Sequence, residues 1–136
     1  MDIFTDQNDN AYVRIECAEL LETIAVNLNG KHFDDAFQCF TNGLKDTDLD
    51  MQYSCAKSLI TLSKKLNDTQ LDKVFSAFIR GLKDTNQWGR RSFVKSLRII
   101  ATKASEKQLE EVINVLMSRL KDEDEYVRVS CAILLA

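Results

Sequence analysis

A chain of 136 residues that is 45% hydrophobic and 29% charged has the composition of a folded protein with a domain-sized core, which excludes a disordered tail. With no proline and four glycines, strand-and-turn architectures lack their usual punctuation, and an all-helical chain is favoured. A formal charge of −3 argues against an overall nucleic-acid or membrane binder, and no apolar run approaches the roughly 18 residues of a membrane span.

The start, Met1-Asp2-Ile3-Phe4-Thr5-Asp6, lacks the basic region and apolar stretch of a secretory signal, so the expected location is intracellular, in the cytoplasm. Helical spacing of apolar residues then predicts helices near 11–28, 31–44, 49–66, 69–82, 87–103, 107–120 and 124–136. They alternate as first and second helices of a pair. Cys55, Ala56, Leu59, Leu62 and Leu66 share one face of a first helix, and Leu71, Val74, Phe75, Phe78 and Leu82 share one face of a second. Asn29, Asn67 and Ser105 suit the N-caps of the second helices, and Gln108 three residues after Ser105 completes a capping box. His32 has its expected role in helix-start chemistry with Asn29. The Asp-rich turns after Leu44, Leu82 and Leu120 cap the next first helix with negative charge at its positive end.

Sliding the sequence against itself gives a gapless match at 38 residues. Leu44-Lys45-Asp46-Thr47-Asp48 returns as Leu82-Lys83-Asp84-Thr85-Asn86 and as Leu120-Lys121-Asp122-Glu123-Asp124, while Asn8-Asp9-Asn10 marks the same place upstream. Cys17, Cys55, Phe93 and Cys131 then occupy one packing position. Equivalent positions in stacked helices lie roughly 8–10 Å apart, beyond disulfide reach, so these cysteines and Cys39 read as buried free thiols. The expected fold is an all-α superhelix, a solenoid of stacked helical hairpins in units of residues 8–45, 46–83, 84–121 and a partial 122–136.

These residues resemble the HEAT repeats, whose turn reads approximately Asp-Pro-Asp-x-x-Val-Arg ahead of an alanine-rich helix. Asp122-Glu123-Asp124-Glu125-Tyr126-Val127-Arg128 followed by Cys131-Ala132 carries the likeness, and Asp84 with Arg90, and Asn8 with Val13-Arg14, repeat it less completely. The family's proline is missing throughout. The resemblance implies a bonded Asp–Arg ladder between units, with structural roles for Asp84, Arg90, Asp122 and Arg128. Asp46 meets Gln52 where the ladder wants arginine, so an interruption is expected there.

In such arrays the second helices line the concave side, which makes their polar positions the first candidates for partner binding: Asp35, Gln38 and Asn42, then Lys73, Ser76 and Arg80, then Glu111, Asn114 and Ser118. Mixed signs and hydrogen-bonding side chains suit a peptide or helix of another protein better than a uniform polyanion. The competing reading is a plain solvated face. Charge is uneven along the chain: residues 1–45 carry 3 basic and 8 acidic side chains, and residues 84–121 carry 8 and 4. Arg91, Lys95 and Arg98 are expected on one exposed face, with Trp88 beside them. That stripe is the alternative site, for a phosphate backbone or an acidic protein surface. Trp88 shares its repeat position with Tyr12 and Tyr126, which equally fits packing over the turn.

No catalytic constellation is legible, since His32 is the single histidine and has no repeated partner; the reading is non-enzymatic, with no cofactor and no metal site. The last helix breaks off inside a fourth unit, leaving Cys131, Ala132 and Leu135 to be covered. The chain is therefore expected to be a fragment of a longer array, to serve as the docking arm of a larger enzyme, or to self-associate through that end.

Overall fold

The computed structural model describes residues 11–84 and 86–136, and the side chains of all of these except Ala11 and Asp84. Among the described residues every regular element is helical: α1 (Ala11–Ala25), α2 (Gly30–Gly43), α3 (Leu49–Thr61), α4 (Asp68–Asp84), α5 (Gln87–Ile100), α6 (Glu106–Ser118) and α7 (Glu125–Leu135). Short 3-10 turns at Ser63–Lys65, Ala101–Lys103 and Arg119–Lys121 tighten the ends of α3, α5 and α6. No described helix is long and apolar enough to cross a membrane.

The helices group into two compact units, residues up to Leu66 and residues from Asn67 onward. The boundary falls between α3 and α4, inside the expected 46–83 repeat. In the first unit α3 packs against both α1 and α2. In the second, α4 lies beside α6 and α5 beside α7, with α4 against α5 and α6 against α7. That arrangement is two layers of two helices.

Each core follows from 3.6-residue spacing. Phe33, Ala36, Phe37 and Phe40 are the buried stripe of α2, and Val74, Phe75, Phe78 and Leu82 that of α4. Phe78 meets Phe93 of α5 with ring centroids 5.8 Å apart and planes tilted by 51°, a favourable aromatic arrangement. Close approach at both hairpins depends on a glycine. A Cβ on Gly43 would run into the Cys55 sulfur, and one on Gly81 would run into the Phe93 ring. The third equivalent is Arg119, and there the α-helix ends at Ser118 and the chain continues as a 3-10 turn.

The caps follow the sequence, with one correction. Asp48, Asn86 and Asp124 accept hydrogen bonds from the amides of Met51, Gly89 and Val127, at 2.9, 3.0 and 3.1 Å. Ser105 and Gln108 form the expected reciprocal box, and Asn67 with Gln70 forms a second one. Asn29 makes no side-chain cap bond, contrary to expectation. The residue equivalent to Gln70 and Gln108 is His32, which is exposed, and Gly30 takes a left-handed φ of 57° where the other helices carry Asp68 and Glu106. The turn after α1 is held instead by Lys65, whose ammonium donates to the carbonyls of Val26 at 2.8 Å and Leu28 at 2.5 Å and sits 5.2 Å from the Phe33 ring.

All four cysteines are free thiols, with Cys39, Cys55 and Cys131 buried and Cys17 half-buried. Burial, reinforced by Asp46 and Cys39, pushes the Cys55 thiol up to about 12, and burial beside Asp122 pushes Cys131 up to about 11. Both stay protonated and inert at neutral pH. Of the three residues expected to lie uncovered at the last helix, Cys131 is fully covered, while Ala132 is exposed and Leu135 half-buried.

Candidate functional site

The second-helix candidates all lie on exposed surface: Asp35, Gln38 and Asn42 in the first unit, and Lys73, Ser76, Arg80, Glu111, Asn114 and Ser118 in the second. Because α4 and α6 are neighbours in one layer, their two polar rows share one unit. The rows repeat every three to four residues, opposite the buried Val74, Phe75, Phe78, Val112, Val115 and Leu116. On α2 the Gln38 amide donates to Asn42 Oδ1 at 3.1 Å, and on α6 the Ser118 hydroxyl donates to the Val115 carbonyl at 2.6 Å. Gln108 donates its amide to Asp72, joining the starts of α4 and α6.

The basic stripe of α5 is organised differently from the expectation. Arg91 is not part of an open cationic row. Its guanidinium grips Asp124 through Nε at 3.1 Å and Nη2 at 2.7 Å, and lies 4.5 Å from the Trp88 ring and 5.4 Å from the Tyr126 ring. The cause is repeat geometry: Asp124 caps α7, and α7 packs beside α5 with that cap facing Arg91. Hydrogen bonding to Arg91 holds the Asp124 carboxyl below the usual carboxylate range. Trp88 and Tyr126 are therefore the aromatic walls of a structural ion pair, while remaining 54% and 49% exposed. Lys95 and Arg98 stay exposed on the rim of a shallow depression of about 50 Å³, shared with Val94, Tyr126, Ser130, Ile133 and Leu134.

Beneath this surface lies a buried Asp–Arg pair. Arg90 Nε and Nη2 reach Asp122 Oδ2 at 2.7 Å and Oδ1 at 3.0 Å, with the side chains only 9% and 1% exposed. Arg119 adds a contact at 3.4 Å, and Glu123 approaches Arg90 at 3.5 Å. Burial pulls the Asp122 carboxyl upward, but Arg90, the Asp124 amide and Arg119 outweigh it and leave it below its ordinary value. Arg128 takes a different part from its expected rung, donating to the Asp122 backbone carbonyl at 2.6 Å. The Asp84 side chain lies outside the described residues.

Sequence reasoning missed the rung Arg14–Asp46, at 3.2 Å and equally buried. The readable signal was spacing, since Arg14 precedes Asp46 by the same 32 residues that separate Arg90 from Asp122. Asp46 is therefore engaged, and Gln52 donates to its backbone carbonyl at 2.6 Å in the way Arg128, 76 residues later, donates to that of Asp122. The expected interruption at Asp46 does not occur.

No protein-family model matches the chain, and no curated protein matches it. Among solved structures it is similar to the crystal structure of an engineered protein, with 20% identity and a TM-score of 0.60 over 95% of this chain. This chain spans 57% of that protein's length, and the likeness bears on fold alone.

Proposed function

We propose that the chain is a non-catalytic protein-binding scaffold, a HEAT-like solenoid of 38-residue hairpins that holds a peptide or helix of another protein on the polar face of its second helices. The observation that carries this reading is the α4/α6 layer. Two adjacent helices bury one side completely and present Lys73, Ser76 and Arg80 next to Glu111, Asn114 and Ser118 on the other. Such a surface pairs with backbone amides, carbonyls and charges of either sign, as an extended or helical segment requires. The ladder supports it by fixing the turns from which the helices spring.

The alternative, a phosphate-backbone site at Trp88, Arg91, Lys95 and Arg98, loses ground because Arg91 is already neutralised by Asp124. Lys95 and Arg98 line the rim of a shallow depression, and counterion release at so few contacts gives weak binding.

The test is capture from cell extract with and without nuclease, using the chain, a Lys73→Glu/Arg80→Glu/Asn114→Ala variant and a Lys95→Ala/Arg98→Ala variant. A discrete protein lost with the first variant, retained with the second and indifferent to nuclease supports the scaffold reading. Capture that disappears with nuclease or with the second variant replaces it by the phosphate reading.

A further inference from the structure

The shallow depression of about 50 Å³ in the second unit is lined by α5 and α7 alone, the layer that does not carry the polar rows of α4 and α6. Its floor is aliphatic. Val94 is buried beneath it, Leu134 is half-buried, and Ile133 leaves 56% of its surface open. Lys95 and Arg98 stand one turn apart on the α5 side, and Tyr126 and Ser130 stand one turn apart on the α7 side, each bringing a hydroxyl. The Tyr126 ring is a preset wall, because Arg91 lies 5.4 Å from it and is itself gripped by Asp124.

The charge lining this depression has one sign. No acidic residue occurs from Gln87 to Ser105 or from Tyr126 to Ala136, so α5 and its 3-10 turn hold none and α7 holds only Glu125, its first residue. The acids ahead of α7 are engaged elsewhere: Asp122 by Arg90, Asp124 by Arg91, and Glu123 approaches Arg90 at 3.5 Å. Exposed Glu125 does not line the depression, and neither do Glu106, Glu110 and Glu111 of α6. Arg98, followed by exposed Lys103, makes the end farther from Glu125 the more cationic one.

We propose that this depression docks an acidic segment of another protein, seating one aliphatic side chain against Val94, Ile133 and Leu134 while the segment's flanking carboxylates meet Lys95 and Arg98. Size selects the anchor. About 50 Å³ is a third of the roughly 150 Å³ that takes up a benzene molecule, so the end of a leucine or valine inserts and an aromatic ring or nucleobase does not. A nucleic-acid backbone would satisfy the two cations but bring no apolar group to Ile133 and Leu134. Carboxylates beside an aliphatic side chain match both the charge and the floor.

The inference goes beyond the scaffold reading and uses another layer and other residues, so either can fail alone. The experiment is fluorescence anisotropy of the full chain with defined probes: a short labelled peptide with one leucine between pairs of glutamates, its leucine-to-serine form, its glutamate-to-glutamine form, and single-stranded oligothymidylate. The leucine–glutamate peptide should bind, and each change to it should weaken binding roughly tenfold. Lys95→Ala/Arg98→Ala should weaken it roughly tenfold as well, and added salt should weaken it further. Methyl resonances of Val94, Ile133 and Leu134 in the parent chain should shift on titration, a readout that does not depend on how a variant folds. The proposal is overturned by a leucine–glutamate peptide that does not bind, by equal binding of the serine form or of the double-alanine variant, by tighter binding of oligothymidylate, or by shifts confined to other methyl groups.

Discussion

The turns ahead of α3 and α7 are built on the same plan with different partners. In the first unit Asp46 accepts the Asp48 amide at 2.8 Å and receives Arg14 at 3.2 Å. In the second unit Asp122 does the same with the Asp124 amide at 2.9 Å, but receives Arg90 through two nitrogens and Arg119 besides. A second rung, Arg91 to Asp124, then closes over it under Trp88 and Tyr126. The residue equivalent to Arg91 in α1 is Ile15, and in α3 it is Tyr53, so neither can make that rung. Both turns thus keep a buried Asp–Arg pair, Arg14–Asp46 and Arg90–Asp122, and the second adds an outer layer around it.

The comparison breaks hardest at its inner rung. Arg90→Ala leaves Asp122 buried with its main partner gone and should cost about 3–5 kcal/mol. Arg14→Ala removes the longer, 3.2 Å contact to Asp46 and should cost about 2 kcal/mol. Urea denaturation of both variants measures the gap; equal losses would mean that the extra contacts around Asp122 contribute nothing.

Acid probes the same difference next. The Asp122 and Asp124 carboxyls have folded values below the ordinary one, so their stabilisation is complete above the unfolded carboxylate value of about 3.9 and is lost as pH falls through the lower folded value. Melting temperature should fall steeply below that point in the parent chain. Asp122→Asn should start lower at neutral pH and fall less steeply in acid, and parallel curves would assign acid sensitivity to other carboxylates. Arg91→Lys is expected to act more weakly than either, since lysine keeps the charge but loses the fork and the stacking on Trp88. Faster amide exchange in the first turn of α7, with the first unit unchanged, is its signature.

Helix order, pairing and the Asp-capped turns were legible because each depends on local chemistry: apolar period, capping oxygen, net charge at a helix start. Boundaries moved by one to five residues, mainly where the last turn of α1 or α3 tightened or stopped before the expected end. Arg91 was misread for a different reason. Its position on α5 was right, but its partner Asp124 lies 33 residues away and becomes a neighbour only when α7 packs beside α5. The exposure of Ile113 and Met117 on α6 was also out of reach of sequence, because they look the same as the core residues of α4 until burial is compared.

The smallest expected effect concerns how second helices begin. α4 and α6 start from reciprocal boxes, Asn67 with Gln70 and Ser105 with Gln108, while α2 has Asn29 followed by Gly30 and His32. Gln108→His should remove the bond to the Ser105 amide and cost about 1 kcal/mol. The converse, His32→Gln, supplies the missing acceptor for the Asn29 amide and should add about 0.5 kcal/mol. The gain is smaller because the left-handed Gly30 must move into the helical region before Asn29 can reach its N3 amide. Thermal melts of the two variants measure both. If His32→Gln adds nothing while Gln108→His costs its share, Gly30 rather than His32 is what keeps α2 uncapped, and His32→Gln should then become stabilising once combined with Gly30→Asp, the residue type that α4 carries there.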